Sequence, residues 1–261
     1  MSARLDPAAH AGCLPHVQSL AKANKFQLLL LFPVVIWLIL FQFASLIPET
    51  YKPEIDVTTL PIVEKAIFGT MMDRVVAIPS HDLLVLLAAF PYIIHFALPW
   101  VFAVYLYHTQ ERPLTFLWVI GFLNTAAVFT HLFFPTAPPW YLDKFGSKPA
   151  TYDLKGDPGR LKYADHVLPW PIFEPLYDNN PIVFGSFPSL HAAWPFLIAA
   201  YSTKLGHAKW LYVLWVWWAA IYLKHHYIID LAGGALYTFV AIGFSRFVFS
   251  QKFRFTKYLK E

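Results

Sequence analysis

Apolar residues along the chain gather in stretches of about 20 residues, the length that an α-helix needs to cross the hydrocarbon core of a membrane. Polar and proline-rich segments separate these stretches. The predicted spans are Phe26–Ile47, Leu83–Tyr107, Leu114–Phe134, Phe187–Leu205, Ala208–Leu223 and Tyr227–Phe249. The pattern predicts an all-α integral membrane protein with about six transmembrane helices in one bundle.

The segments outside the spans predict the rest of the organisation. Residues 1–25 are expected to form a cytoplasmic N-terminal tail, residues 26–250 a single membrane-embedded domain, and residues 251–261 a basic cytoplasmic tail. The short apolar stretch around Ile62–Ile78 lies between prolines and indicates an interfacial helix. Phe134–Gly185 is long and rich in aromatic residues, so we expect it to fold over the outer membrane face as a lid.

Composition and charge agree with this organisation. The chain of 261 residues is 57% hydrophobic and only 14% charged, which is too apolar for an ordinary soluble domain. Lysine and arginine concentrate on the side that carries both termini, and this predicts that side to be cytoplasmic. The formal net charge of +4 reflects that basic rim and does not indicate nucleic-acid binding.

Two histidine segments carry the candidate chemistry, because ionisable groups in apolar surroundings are costly and are usually kept for a function. In the first segment, Ser186 is predicted to cap a helix whose N-terminal amides can hold a phosphate, and His191 can protonate a leaving oxygen. In the second, His226 and Asp230 are expected on one helical face. Asp230 would then orient His226 for attack on phosphorus.

Other polar and aromatic residues near these segments are predicted to bind substrate. They are Ser189, Ser186, Lys224, His225, Arg160, Asp153, Asp157, Trp140 and Tyr141. The two loop aspartates offer hydrogen-bond acceptors to a hydroxylated headgroup and Arg160 offers a phosphate contact, although the loop charges would equally keep the loop solvated. Lys224 is either a phosphate partner or an interfacial lysine that reaches water.

No metal and no cofactor is expected at this site. A metal bound by the two histidines and Asp230 is the alternative, but the usual zinc spacings are absent. Both segments fall on the predicted outer side of the membrane. The site would therefore face the Golgi lumen in a eukaryote, or the periplasm from the inner membrane of a bacterium.

The two segments resemble the second and third motifs of the phosphatidic acid phosphatase type 2 superfamily, Pro-Ser-x-His and His-x-x-x-Asp. Here they are residues 188–191 and 226–230. The resemblance implies a six-helix membrane fold and a metal-free mechanism. In that mechanism His226 is the nucleophile, Asp230 is its partner and His191 is the acid.

The superfamily's first motif is incomplete in this chain, because Tyr105 stands at its lysine position before Arg112-Pro113. Ala220 stands where an arginine is expected before the nucleophile. Those departures resemble the branch of the aureobasidin-sensitive inositol phosphorylceramide synthases. The most specific similarity lies in residues 134–141, Tyr152-Asp153 with Gly156 and Pro158-Gly159, residues 184–191, and Tyr222-Leu223 with residues 225–227.

That branch implies a lipid phosphotransferase that moves phosphoinositol from phosphatidylinositol to ceramide through a phosphohistidine. The lipids and the bilayer are then the partners, and the need for an accessory subunit is left open. One alternative is a hydrolase of lipid phosphomonoesters in the same superfamily. The other is a membrane scaffold that has kept the fold and lost the chemistry.

Overall fold

The computed structural model describes residues 31–109, 112–202 and 204–258. The predicted N-terminal tail and the last residues of the predicted C-terminal tail lie outside the described residues. The described part of the chain forms helices and no strands: α1 (31–43), α2 (Thr59–Phe68), α3 (Met71–Val76), α4 (Asp82–His108), α5 (Pro113–Phe133), α6 (Pro139–Phe145), α7 (Leu161–Val167), α8 (Phe173–Asp178), α9 (Leu190–Tyr201), α10 (Ala208–Tyr222) and α11 (Ile228–Tyr258).

Each predicted membrane span falls on one of these helices, namely α1, α4, α5, α9, α10 and α11. Helices α4 and α5 and residues 228–250 of α11 are long and apolar enough to cross a membrane. The prediction of an all-α integral membrane protein is thus confirmed. Helix α9 has 12 residues, which at 1.5 Å per residue gives roughly 18 Å, less than the hydrocarbon thickness.

Helix α9 lies at the centre of the bundle, where it packs against α4, α5, α10 and α11. Its Ala192, Ala193 and Leu197 are completely buried. Small residues allow helix backbones to approach closely in membrane proteins. At Gly234 of α11 the approach is closest, because a Cβ atom there would lie 2.3 Å from the carbonyl oxygen of Ser189.

The segments between the spans are more helical than the sequence indicated. The predicted interfacial helix is two short helices, α2 and α3, because the chain turns at Gly69 with a left-handed φ of 60°. The long segment after α5 contains α6, α7 and α8. Trp140, Tyr141 and Phe184 form a small core under it, and we call the end of the bundle that carries this segment the loop end.

Short backbone contacts at the loop end bring distant segments together. The amide of Asp56 donates to the carbonyl of Pro135 at 2.9 Å, and the amide of Thr136 donates to the carbonyl of Phe184 at 2.9 Å. The amide of Ser186 in turn donates to the carbonyl of Thr136 at 3.3 Å. The first histidine segment is thereby fixed to the end of α5 before it enters α9.

The close contact between α9 and α11 predicts different effects for two glycines of the same helix. Gly234→Ala should lower the free energy of unfolding by about 1 to 3 kcal/mol, because its Cβ meets backbone that cannot yield. Gly243→Ala is the matched control, since nothing lies within 4 Å of a Cβ there. Thermal unfolding in detergent measures both, and equal midpoints for the two variants would contradict the contact.

Candidate active site

A buried carboxylate joins the two histidine segments. Asp230 lies in the first turn of α11 and is 0% exposed. Its Oδ2 accepts hydrogen bonds from the Ser186 hydroxyl at 2.6 Å and from the Tyr227 amide at 2.9 Å. The Asp230 carbonyl accepts from the Ser189 amide at 3.0 Å. A buried carboxylate needs such partners, so these contacts fix the segments to each other.

His226 lies beside this carboxylate but not on its helix. Helix α11 begins at Ile228, so the expectation that His226 and Asp230 share a helical face is wrong. The Nδ1 atom of His226 is 3.1 Å from the Ser186 carbonyl and 3.4 Å from Asp230 Oδ2. Because a carbonyl only accepts, Nδ1 carries the proton. The Nε2 atom of neutral His226 therefore keeps a lone pair.

His191 faces His226 from the start of α9. Their ring centroids are 5.3 Å apart. The N-cap of α9 is Ser189, whose hydroxyl accepts from the Ala192 amide at 3.2 Å. The prediction of Ser186 as the N-cap is thus wrong, because its hydroxyl is committed to Asp230 instead.

The two histidines line a small cavity of about 70 Å³ at the loop end, which we call the histidine cavity. Its walls combine aromatic side chains, glycines and polar groups, and among the described residues they include neither lysine nor arginine. They are Pro138, Trp140, Gly156, Asp157, Tyr177, Asn180, Ile182, Val183, Gly185, Ser186, His191, His225 and His226. A space of this size can hold a phosphoryl group.

His225 is held in place by hydrogen bonds at both ring nitrogens. Its Nε2 donates to the Pro158 carbonyl at 2.9 Å, and its Nδ1 accepts from the Tyr177 hydroxyl at 2.8 Å. Burial lowers the pKa of His225 to about 3, so the ring is neutral near pH 7. These contacts indicate a structural role, in which His225 holds Pro158 and Tyr177 in place beside the histidine cavity.

The two predicted phosphate cations lie away from the histidine cavity. Lys224 pairs with Asp143 at 2.7 Å and lines a separate cavity of about 370 Å³. Arg160 donates to the Val76 carbonyl at 2.5 Å and lies over the ring of Tyr222, 4.5 Å from its centroid. Both side chains are therefore engaged with protein groups.

The charged residues of the long segment do not form a single polar island. Asp157 lines the histidine cavity, where it pairs with Lys144 and accepts from the Gly159 amide at 2.7 Å. Asp153 lines a larger cavity of about 450 Å³. Lys162, a further charged residue of this segment, pairs with Glu174 at 2.7 Å. The island is thus divided among separate contacts.

Two further predicted binding residues are buried in supporting positions. Tyr141 is 3% exposed, and its hydroxyl donates to the carbonyls of Lys148 and Pro149 at 3.1 and 3.2 Å. Ser189 is fully buried as the N-cap of α9. Trp140 does reach the histidine cavity.

Three buried ionisable residues near the site escaped the sequence reasoning. His95 Nε2 lies 2.7 Å from His191 Nδ1. His131 Nε2 donates to the Pro188 carbonyl at 3.1 Å, and Glu64 Oε2 accepts from the Ile229 amide at 2.9 Å. Burial raises the pKa of Glu64. The signal that could have found all three is an ionisable side chain in an apolar stretch.

Comparison with known proteins places the chain in a family. The PAP2 superfamily matches residues 58–244. The chain is 34% identical over 228 residues to "Inositol phosphorylceramide synthase catalytic subunit aur1" of Schizosaccharomyces pombe, covering 85% of this chain and 53% of the relative. It is 30% identical over 220 residues to "Phosphoinositol dihydroceramide synthase" of Bacteroides thetaiotaomicron, covering 78% and 72%.

The chain thus spans about half the length of the fungal inositol phosphorylceramide synthases it matches. The Candida albicans "Inositol phosphorylceramide synthase" is 34% identical, with 84% of this chain and 48% of the relative covered. No solved structure matches the chain. The superfamily match covers most of the described helices and includes both histidine segments. On this match the protein belongs to the PAP2 superfamily.

Proposed function

We propose that this protein is a lipid phosphotransferase that moves phosphoinositol from phosphatidylinositol to ceramide and releases diacylglycerol. The observation that carries the proposal is the pair of histidines that line one small cavity, one of them with a free ring nitrogen and a carboxylate behind it. The names of the fungal and bacterial relatives support the headgroup and the acceptor class.

His226 is the nucleophile in this proposal. Its Nδ1–H is directed at the Ser186 carbonyl with the Asp230 carboxylate 3.4 Å away, which leaves Nε2 for phosphorus. Attack forms an Nε2–P bond and develops positive charge on the ring. The nearby carboxylate stabilises that charge, as a buried aspartate does for other catalytic histidines.

His191 is the proton donor for the departing glycerol oxygen and later the base for the ceramide hydroxyl. Each half-reaction moves one proton, so the residue returns to its starting state after a full transfer. Water must be kept from the phosphohistidine, because hydrolysis would otherwise compete with transfer. The aromatic and apolar side chains in the wall of the histidine cavity, among them Trp140 and Ile182, favour that exclusion.

The charge of the cavity favours a phosphodiester over the phosphomonoester of the alternative hydrolase. A monoester carries more negative charge and needs more cationic partners. The described walls of the histidine cavity hold no lysine or arginine, and Asp157 adds a carboxylate. A diester with one negative charge suits these walls better.

The headgroup is proposed to occupy the larger cavity of about 450 Å³. This headgroup cavity shares Asn180, Ile182 and Val183 with the histidine cavity, so the two adjoin. Asp153 lines its wall, where a carboxylate offers acceptors to the hydroxyls of an inositol ring. The phosphoryl group would then lie in the small cavity and the ring in the large one.

The loop end is proposed to face the Golgi lumen or the periplasm. Basic residues support this orientation, because Arg112 and Lys204 lie in the connections at the opposite ends of α5, α9 and α10, and Lys209 lies in the first turn of α10. An excess of lysine and arginine in short connections is typical of the cytoplasmic side. Diacylglycerol and product would therefore form in the non-cytoplasmic leaflet.

The first prediction tests the transfer itself. Purified protein incubated with phosphatidylinositol that carries a labelled phosphate should yield labelled inositol phosphorylceramide only when ceramide is present. His226→Ala should abolish the release of diacylglycerol, the labelled ceramide product and the labelled phosphoenzyme, because the covalent nucleophile is gone. Release of inorganic phosphate from phosphatidic acid, with no transfer from phosphatidylinositol, would favour the phosphomonoester hydrolase. Full transfer by His226→Ala would overturn the assigned role.

The second prediction concerns metal. Chelation with EDTA should leave the transfer rate unchanged, because helix N-terminal amides and side-chain donors stabilise the phosphoryl oxygens. Among the described residues no group of three or more histidine, cysteine or acidic side chains is arranged to hold a metal ion. Loss of the rate with EDTA and its return with zinc or magnesium would assign His191, His226 and Asp230 to a ligand set.

The third prediction tests the headgroup cavity. Asp153→Asn should lower kcat/KM for phosphatidylinositol by about 10- to 100-fold, the value of a hydrogen bond to a charged group. Slow hydrolysis of a simple aryl phosphate should survive. Glu174→Gln is the control, because that carboxylate pairs with Lys162 and lines neither cavity. Equal losses on both substrates would contradict headgroup recognition.

A further inference from the structure

We propose that His95 is a positioning residue that holds His191 in the tautomer and orientation needed to give and take the substrate's proton. This inference rests on the proposed role of His191 as acid and base. His95 lies in the interior of α4 and is 2% exposed. Burying an imidazole ring at that depth costs free energy unless its nitrogens form hydrogen bonds. The partners of the two nitrogens therefore indicate what the residue does.

The hydrogen bonds of His95 assign its protons. Its Nδ1 contacts the carbonyl of Tyr92, one turn earlier on the same helix. A carbonyl can only accept, so Nδ1 carries the proton of the neutral ring and Nε2 is an acceptor. The atom 2.7 Å from that Nε2 is His191 Nδ1, which must therefore donate.

The assignment extends to the reaction. With Nδ1 of His191 committed to His95, Nε2 is the ring nitrogen left to exchange a proton in the histidine cavity, which His191 lines. The hydrogen bond thus selects one tautomer of His191. Such control of a histidine by the partner of its other nitrogen is a general feature of catalytic and metal-binding imidazoles.

Aromatic rings fix the orientation of His191 as well. The ring of Tyr92 stacks on it with centroids 4.3 Å apart and an interplanar angle of 25°. The ring of Phe96 meets it edge-on at 5.7 Å. These residues and His95 all belong to α4, so one face of this helix holds the ring that projects from α9.

The hydrogen bond between His191 and His95 persists through both half-reactions, because only Nε2 of His191 exchanges a proton. In the first half-reaction the Nε2–H of the His191 imidazolium moves to the glycerol oxygen as the P–O bond breaks and the bond to His226 forms. In the second, the acceptor hydroxyl gives its proton to His191 Nε2 as its oxygen bonds to phosphorus and the P–N bond to His226 breaks. The Nδ1–H stays on His191 throughout, donated to His95.

The identity of the partner matters for the acidity of His191. A carboxylate would stabilise the imidazolium strongly and make it a weaker acid, whereas a neutral imidazole stabilises it less. The nucleophile has the carboxylate of Asp230 beside it and the acid has His95. The titratable groups that surround His191 are Tyr92, His95, His131, His225 and His226.

Two substitutions separate this role from simple packing. His95→Leu keeps an apolar volume but removes the acceptor. His95→Gln keeps an oxygen acceptor near the position of Nε2. The rate of phosphorylation of His226 is measured for each with two donors, phosphatidylinositol and a p-nitrophenyl ester of phosphoinositol, whose leaving group departs without a proton.

His95→Leu should lower the rate with phosphatidylinositol by about 10- to 100-fold, the usual cost of losing the partner of a functional histidine. The p-nitrophenyl ester should react at nearly the wild-type rate, because it needs no acid. His95→Gln should recover most of the lost rate. The pH profile with phosphatidylinositol should shift in His95→Leu on the limb that reports His191, and stay unshifted with the aryl ester.

Asn124→Leu is the control for loss of a buried polar group in the bundle. Asn124 is 0% exposed; it accepts from the Trp194 indole at 3.0 Å and donates to the Ile120 carbonyl at 2.6 Å, so its hydrogen bonds do not involve His191 or His226. This variant should slow both donors equally if it slows either. Equal losses on both donors in His95→Leu, or no rescue by His95→Gln, would overturn the proposal.

Failure of the proposed function would look different. If wild-type protein transfers no phosphoinositol to ceramide, the function is wrong. The same variants are then compared on any alkyl and aryl phosphoester pair that the protein does cleave. The leaving-group dependence of His95→Leu therefore tests the positioning role whichever lipid is the substrate.

Discussion

The burial of one carboxylate determines how the two histidine segments are joined at the loop end. Asp230 has no exposed surface, and water cannot solvate its charge. Its hydrogen bonds must therefore come from the protein, and the Ser186 hydroxyl and the Tyr227 amide both donate to its Oδ2. Those donors belong to the two histidine segments, which are about 40 residues apart in the sequence. The carboxylate joins them and sets His226 against the Ser186 carbonyl.

The sequence predicted the apolar helices and identified His191, His226 and Asp230 as candidate site residues. The structure brings these three side chains together. Their catalytic roles stay predictions. Local details were harder. His226 precedes its helix and Ser186 is not a cap, since the choice between Ser186 and Ser189 depends on which hydroxyl the buried carboxylate takes. That contact spans distant segments, and no local pattern encodes it.

The charged residues show the same limit more clearly. The sequence predicted Arg160 as a phosphate contact, and Lys224 either as a phosphate partner or as an interfacial lysine. In the structure each is held by a group from another element, the Val76 carbonyl for Arg160 and Asp143 for Lys224. Conversely, His95 and Glu64 are remote in sequence and contact the site. The cost of a buried ionisable group would have flagged both, but only the fold identifies their partners.

In the proposed mechanism, His191 and His226 illustrate how an apolar bundle can separate acid from nucleophile. The two ring centroids are 5.3 Å apart in one cavity, so both rings share nearly the same environment. What distinguishes the two rings is their hydrogen-bond partners. A carbonyl and a nearby carboxylate suit the ring of His226, which gains positive charge when it attacks. A neutral imidazole suits His191, which must release a proton at the same moment. The distinction comes from helix α4, which supplies no group to the phosphorus itself and yet determines which nitrogen of His191 can reach the substrate.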